Sequence, residues 1–376
     1  MTLLRVLHVI NNLDNLGGAE LSLLQLVTNA DRHRFRHGVV ALLKSNLLGA
    51  DIEAAGVDVR ALDIRNGIGA ALSRTGDLLR ESRPDLIVGW LYYGNLAASL
   101  LGAVRQRPVV WNVRHSTHDL ARSGRSTRMS LAFSTAAARQ PRAIVYNSVD
   151  VARQHAARRM TGAWTEVIEN GVDTRRFQPN EVSRARWRAS LGAQRDTKVI
   201  GRFGRYHALK GYADLIAAFA RIRVLPNALL VLGGTDVDAS NEDLRMLIDA
   251  AGVRDQVRLL GERRDLNEIL PALDLFVSTS HGESFPNVLA EAMACGVPCV
   301  ATAVGASSRI LGDVGWLVPP GDVPRIAATI DHAFDTIGRQ SSAARERAVM
   351  HIARDFSLGT MVTRYEALFA ALAMTN

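Results

Sequence analysis

Cysteine is nearly missing from this 376-residue chain, which holds only Cys295 and Cys299. Two thiols cannot build the disulfide framework of a small secreted scaffold. Their Cys-Gly-Val-Pro-Cys setting fits neither a zinc knuckle nor a Cys-x-x-Cys redox motif, so both read as core thiols. Lysine is almost as scarce: Lys44, Lys198 and Lys210 stand beside 42 arginines. Hydrophobic residues make up 48% of the sequence, enough for large cores and about two domains. No apolar run reaches the roughly 18 residues of a membrane span. The opening Met1-Thr2-Leu3-Leu4-Arg5-Val6-Leu7-His8-Val9-Ile10 enters a strand-like pattern directly, without the charged and apolar regions of a signal peptide, so a cytoplasmic location is expected. Internal repeats and low-complexity tracts are absent as well.

The charge that is present is uneven. Through Asn180 the chain carries 23 basic and 15 acidic residues, and beyond it 22 of each, so the first half holds the whole +8 excess. An anionic membrane face, a diphosphate-linked lipid, nucleic acid or a solubilising surface in an Arg-rich proteome would each account for it. Nucleic acid fits poorly, because the arginines lack interleaved aromatics and a recognisable module.

Short β-branched runs alternate with helical stretches, the signature of parallel α/β units. Strands are expected at 5–11, 37–43, 57–63, 85–90, 109–114, 143–147 and 165–168. Five more follow at 198–203, 229–233, 257–261, 275–279 and 299–303, making two doubly wound sheets. Asn170-Gly171-Val172-Asp173 marks the junction, so the expected domains are 1–173 and 174–357. A last helix, about 358–376, is apolar on one face and suited to packing back on the first domain.

The most informative stretch runs from His281 to Glu291. Ser284 suits an N-cap and Pro286 a first-turn position, and Val288, Leu289, Ala292 and Met293 supply an apolar helical stripe. Glu283 then precedes a helix and Glu291 lies inside it, with the helix N-terminus as an anion site between them. At 1.5 Å rise per residue the two carboxylates stand roughly 10 Å apart. Glycosidase pairs work at roughly 5 to 9.5 Å, so this spacing suits gripping two ends of one ligand better than sharing one bond. Two solvated surface acids are the plainer alternative.

In parallel sheets ligands gather beyond the carboxyl ends of strands, and three further clusters lie there. Asn11-Asn12-Leu13-Asp14-Asn15-Leu16-Gly17-Gly18-Ala19-Glu20 is a glycine-rich turn opening a helix, whose amides could meet phosphate or sugar oxygens, or which could be a plain turn. It lacks the Gly-x-Gly-x-x-Gly spacing of a nicotinamide dinucleotide site. Trp111-Asn112-Val113-Arg114-His115-Ser116-Thr117-His118-Asp119 places two histidines in a loop. No matching ligands argue for a metal, so an imidazole contacting a sugar, or no role, is left. Ile200-Gly201-Arg202-Phe203-Gly204-Arg205-Tyr206-His207-Ala208-Leu209-Lys210-Gly211 puts Arg205 and Lys210 in one strand-to-helix turn, where both can reach a diphosphate.

Together these residues resemble the GT-B glycosyltransferases of family 4, also called glycosyl transferases group 1, a retaining family that uses nucleotide sugars. Gly17-Gly18-Ala19-Glu20, Asn170-Gly171-Val172-Asp173, Gly204-Arg205, Lys210-Gly211, Gly233-Gly234, Gly261 with Asp265, Asp274, Glu283 to Glu291, Gly296-Val297-Pro298 and Gly315 to Gly321 carry the likeness. It implies two Rossmann-like doubly wound domains facing an interdomain cleft, the first binding acceptor and the second the nucleotide sugar. It further implies that Arg205 and Lys210 bind the donor diphosphate, Glu283 the hexose and Glu291 the ribose, with His115 beside the donor sugar. Gly17, Gly18, Gly234, Glu262, Arg263, Leu266, Ser284, Phe285, Asn287 and Val288 complete the implied donor set, and His118 is an acceptor contact. One departure is Ser284-Phe285-Pro286, where relatives carry a Phe-Gly pair; Pro286 has no N–H, so that phosphate contact falls to Asn287 or Val288.

The implied reaction moves a hexosyl group, with retained configuration, from a nucleotide-diphosphate sugar, UDP being favoured, to a glycan or lipid-linked glycan in cell-surface polysaccharide synthesis. No metal and no other cofactor is expected, because Arg205, Lys210 and the helix N-terminus face the leaving diphosphate. Asp236-Val237-Asp238 has the letters of a metal motif but is expected away from the chemistry. Peripheral association with an anionic membrane follows from the basic first half, and no nucleic-acid partner is expected. A nucleotide-sugar 2-epimerase on the same scaffold and a non-catalytic sugar-nucleotide-binding module are the alternatives.

Overall fold

The computed structural model describes residues 3–14, 17–66, 75, 80–117, 125–162, 164–337 and 342–373. The chain divides into two compact units, Met1–Gly171 with Leu358–Asn376, and Val172–Ser357. The division falls inside the Asn-Gly-Val-Asp turn, where glycine and short polar side chains interrupt regular structure.

In the first unit seven strands form one parallel sheet: β1 (Leu4–Ile10), β2 (Phe35–Ala41), β3 (Asp58–Ala61), β4 (Leu86–Trp90), β5 (Val109–Val113), β6 (Ala143–Tyr146) and β7 (Thr165–Val167), in the order β3-β2-β1-β4-β5-β6-β7. Five consecutive positions of β4 and five of β5 are buried, as expected for strands covered by helices on both faces. The final helix, Leu358–Ala373, belongs to this unit. Its Met361, Val362, Tyr365, Leu368, Phe369 and Leu372 join the core of β1, β2 and β4.

The second unit holds six parallel strands: β8 (Lys198–Phe203), β9 (Ala228–Gly233), β10 (Val257–Leu259), β11 (Leu275–Ser278), β12 (Cys299–Thr302) and β13 (Trp316–Val318), in the order β10-β9-β8-β11-β12-β13. The architecture is the expected pair of doubly wound sheets, with one strand more than the sequence reading finds. Among the described residues β13 is a three-residue edge strand paired with β12, too short for its Trp-Leu-Val run to read as a strand. Both cysteines are buried. No helix among the described residues is long and apolar enough to cross a membrane.

The strand order reverses between β1 and β4 in the first sheet and between β8 and β11 in the second. A reversal splays the following connections to opposite faces and leaves a crevice beyond the strand ends. The loops that leave β8 and β11 carry Arg205, Lys210 and Glu283.

Candidate active site

β8 ends in a turn that closes as a short 3-10 segment, Ala208–Lys210, before the helix Tyr212–Phe219. Gly211 joins them at φ +64°, and a Cβ there would lie 2.0 Å from the Thr279 carbonyl oxygen. Only glycine fits both the left-handed backbone and the close approach of the β11 loop. That approach sets the site, because it brings the side chain of Lys210 to the residues that follow β11. Lys210 Nζ lies 2.6 Å from Glu283 Oε1, and Ser280 Oγ donates to the same oxygen at 2.8 Å. Lys210 and Glu283 are partly buried, at 26% and 12% side-chain exposure, where an ion pair is screened less than at the surface. Arg205, in the same turn, is exposed and has no side-chain partner among the described residues.

The neighbouring loops are tied to this turn by main-chain bonds. Gly204 N–H donates to Gly233 O at 2.9 Å, Tyr206 N–H to Thr235 O at 2.8 Å and Gly234 N–H to Gly261 O at 2.7 Å. Gly234 packs so closely on Gly204 that a Cβ would meet its carbonyl oxygen at 2.1 Å. The loop that carries Asp236-Val237-Asp238 is tied to the Arg205 turn through the Thr235 carbonyl. Asp238 Oδ1 accepts from the N–H and Oγ of Ser240, closing the loop on itself.

The helix after Glu283 begins later than expected. It runs from Asn287 to Ala294, Pro286 takes the N-cap position, and no side chain caps it. A residue preceding proline is driven out of the helical region, so Phe285 cannot be helical and Ser284 cannot be the cap. Ser284 instead accepts the Ala306 N–H on its carbonyl at 3.1 Å. Phe285 is buried in the core with its ring 5.9 Å from that of Phe356, and Val288 packs partly against that core. Leu289 and Ala290 N–H turn back to Pro286 O, at 3.1 and 3.5 Å, so Asn287 and Val288 lead the helix N-terminus. Glu291 falls about one turn inside the helix. Burial pushes its carboxyl up to about 7 while Arg176 pulls it down. Arg176 also donates to Arg264 O at 2.7 Å and to Asn267 Oδ1 at 3.4 Å, bracing the loop after β10.

In that loop Glu262 and Arg263 are exposed, and Leu266 opens the short helix Leu266–Ile269. Arg263 is engaged within the protein: two nitrogens meet the Asp265 carboxylate at 2.9 and 2.6 Å, and its guanidinium stacks 5.3 Å over Trp187. Three residues with strong contacts here, Arg202, Ser280 and Arg176, escaped the sequence reading. Arg202 offered a signal, a cation inside an otherwise apolar strand.

The first unit places its candidates separately. Gly18 opens the helix Gly18–Asn29, and Gly17 is its N-cap. Glu20 curls back so that its Oε2 would lie 2.4 Å from a Cβ on Gly17, and burial raises its carboxyl. An incoming anion would meet this acid at the helix end. His115 is exposed after β5, its ring centroid 5.8 Å from that of Tyr92. Tyr92 is fixed below it by an OH to His155 Nε2 contact of 2.8 Å. His118 lies outside the described residues.

Residues 16–176 match the family described as Glycosyltransferase Family 4, and residues 197–336 match Glycosyl transferases group 1. The chain belongs to the family 4, group 1 glycosyltransferases. It is 34% identical over 222 residues to D-inositol 3-phosphate glycosyltransferase of Mycobacterium marinum, a match covering 57% of this chain and 47% of that protein. It is 28% identical over 208 residues to N-acetyl-alpha-D-glucosaminyl L-malate synthase of Bacillus anthracis, covering 54% and 53%. These matches span about half the length of those relatives. Among solved structures, Anabaena HepE in complex with UDP-glucose superposes with a TM-score of 0.82 at 21% identity, covering 97% of this chain and 99% of that one. WaaG, a glycosyltransferase involved in lipopolysaccharide biosynthesis, gives 0.74 at 16% identity, covering 97% and 99%. At such identities the family 4 chain shares a fold with them.

Proposed function

We propose that this protein transfers a hexosyl group from a nucleotide-diphosphate sugar to an acceptor hydroxyl with retention of anomeric configuration. The observation that carries the reading is the Lys210–Glu283 pair beside the Asn287–Ala294 helix N-terminus, at the strand-order reversal of the second sheet. Lys210 and Arg205 would face the diphosphate with the leading amides of Asn287 and Val288, Glu283 would grip the hexose, and Glu291 would accept from the ribose hydroxyls. Glu262, Leu266 and the main chain of Gly234 would border the base. Arg263 would act there through the Asp265 loop it holds. UDP is the favoured nucleotide, since HepE is described in complex with UDP-glucose and shares the fold.

As the bond from the anomeric carbon to the phosphate oxygen breaks, negative charge grows on the diphosphate and positive character on the ring. Fixed cations and helix amides stabilise the first without reorganising. The acceptor oxygen bonds to the anomeric carbon on the face the diphosphate leaves, and its proton passes to a departing phosphate oxygen. Arg205, Lys210 and the helix N-terminus take the role a divalent cation would otherwise fill, so a metal-independent reaction follows. His115, and His118 on the acceptor side, would contribute from the first unit, with Gly17 and Gly18 near the donor.

We take the acceptor to be a glycan or lipid-linked glycan of cell-surface polysaccharide synthesis, handled by the basic first unit at an anionic membrane face. Met129 and Phe133, one turn apart on the helix Arg125–Ala136, are 59% and 60% exposed beside exposed Arg125 and Arg128. Flotation with vesicles of phosphatidylglycerol would support this placement, and failure to float at low salt would favour a soluble acceptor.

The decisive experiment incubates the purified protein with UDP-, GDP- and ADP-sugars, following thermal stabilisation and release of nucleoside diphosphate in EDTA. Stabilisation by one donor class with release undiminished by EDTA is expected. No stabilisation by any donor would overturn the reading, and loss of activity in EDTA would overturn metal independence.

A further inference from the structure

A guanidinium taken out of water costs several kcal/mol in effective terms unless its donors are satisfied, and an apolar side chain of similar size would pack without that cost. Arg202 is such a group. It lies one residue before the end of β8, on the face shared with Ile200, and is 2% exposed. Its guanidinium sits 4.7 Å over the Tyr212 ring. No carboxylate contacts it directly among the described residues.

Its donors run instead to the two halves of the candidate site. Arg202 Nε donates to the Lys210 carbonyl at 3.2 Å, and Nη2 donates to the same oxygen. Nη2 also reaches Ser280 Oγ at 3.2 Å. Having accepted there, Ser280 Oγ donates to Glu283 Oε1 at 2.8 Å, the oxygen held by Lys210 Nζ at 2.6 Å. The Ser280 main chain is fixed in turn, its carbonyl accepting from Thr302 Oγ1 at 2.6 Å. One buried cation thus holds Lys210 by its backbone and Glu283 through one hydroxyl. Glu283 Oε2 has no partner among the described residues.

We propose that Arg202 is the positioning residue of this site. It fixes the Lys210 turn and, through Ser280, aims the Glu283 carboxylate so that Oε1 is committed to protein and Oε2 is presented to the donor sugar. The inference rests on the nucleotide-sugar reading of the site. Misplacement of reacting groups by about an ångström can cost on the order of a hundredfold in rate, so a group behind the site can control turnover without touching substrate.

The test compares wild type with Arg202→Met, Arg202→Lys, Ser280→Ala and the Arg202→Met/Ser280→Ala double variant in steady-state donor turnover, with melting temperatures taken alongside. Arg202→Met should lower kcat about 30-fold while KM for the donor changes less than about threefold, because Lys210 and Glu283 are still present but poorly set. Arg202→Lys should keep the charge yet recover less than half of kcat, since an ammonium lacks the planar fork that spans a carbonyl and a hydroxyl. Ser280→Ala should lower kcat about fivefold, and the double variant should be no slower than Arg202→Met, because the contacts act in series. Wild-type kcat in folded Arg202→Met, or effects that multiply in the double variant, would overturn the proposal. Should Arg202→Met fail to fold, unchanged kcat in Ser280→Ala overturns it equally. A wild-type protein that turns over no nucleotide sugar refutes the underlying reading, whereas active wild type with unaffected variants refutes the positioning role alone.

Discussion

Lys210 and Glu283 meet at 2.6 Å across the carboxyl ends of adjacent strands β8 and β11. Two groups that the family likeness implies for different parts of one donor form an ion pair with no donor bound. The ammonium is therefore held in place by a carboxylate and keeps donors for an incoming phosphate, while the carboxylate is prevented from drifting toward the helix N-terminus. Pre-organisation of this kind lowers the ordering cost of binding.

Glu283→Gln keeps the shape and removes the charge. Turnover should fall on the order of a hundredfold or more, with little change in melting temperature, since the amide still accepts from Ser280. Steady-state kinetics beside a thermal melt separate the two effects, and undiminished turnover would remove Glu283 from the site.

Lys210→Ala should weaken donor binding and slow turnover together, because the anion it faces grows in the transition state. Kinetics over a range of donor concentration check this; a change in KM alone would mean that Lys210 contributes only to ground-state binding.

With its carboxyl pushed up to about 7 by burial, Glu291 in the proposed ribose contact should make nucleotide binding sensitive to pH. Ribose hydroxyls donate best to the ionised form, so UDP should bind more weakly as pH falls through 7 and should release protons on binding near that pH. Calorimetry in two buffers of different ionisation enthalpy measures that release. Glu291→Gln should bind UDP more weakly and without the proton release. In the unliganded protein the sign is opposite: the raised carboxyl favours the folded state at acid pH, and this contribution is lost as pH rises from 4.5 to about 7.

The buried histidines of the first unit predict acid sensitivity. Trp90 Nε1 donates to His8 Nδ1 at 3.1 Å, which leaves the His8 proton on Nε2, 2.8 Å from His37 Nδ1. Both rings are thereby neutral, and burial lowers His37 from 6.5 to about 4. Stability from this pair is fully present above 6.5 and declines as pH falls toward 4, because the unfolded chain takes up protons that the folded one refuses. Urea midpoints followed by tryptophan fluorescence should fall across this range, and His37→Asn should flatten the slope.

Asp274 joins three parts of the second unit, accepting from Arg184 Nη2 at 2.5 Å, Arg188 Nη1 at 2.9 Å and the Val199 N–H at 2.9 Å. Asp274→Asn leaves two partly buried guanidinium groups without their counter-charge and should cost about 3 kcal/mol. Chemical denaturation with donor affinity measured in parallel tests this, since the residue stands at the opposite end of β11 from Glu283.

Much of this molecule is legible from its order of residues because its strands are short apolar runs bounded by glycine, asparagine and aspartate. That signal fails at β13, where three residues, only Val318 of them buried, are too few to show an alternation. The helix after Glu283 is legible from Pro286 and its apolar stripe, but its start is not, because the restriction that Pro286 places on Phe285 outweighs the capping tendency of Ser284. Arg202 is illegible in its role for a different reason: the acceptors that make a buried cation tolerable, Lys210 O and Ser280 Oγ, lie 8 and 78 positions along the chain. Arg263, which the likeness places in the donor set, shows its Asp265 and Trp187 partners only in the folded chain.

The first unit is built from two separated pieces of chain, Met1–Gly171 and Leu358–Asn376, and the second from one continuous piece. Synthesis therefore delivers every residue of the second unit before the first can close. Until Leu358–Ala373 emerges, β1, β2 and β4 lack Tyr365 and Phe369, and buried Arg114 lacks the Tyr365 hydroxyl that its Nη2 meets at 2.6 Å. The amino-terminal half of this protein is thus the last to finish, and its nascent apolar face is the segment most in need of a chaperone.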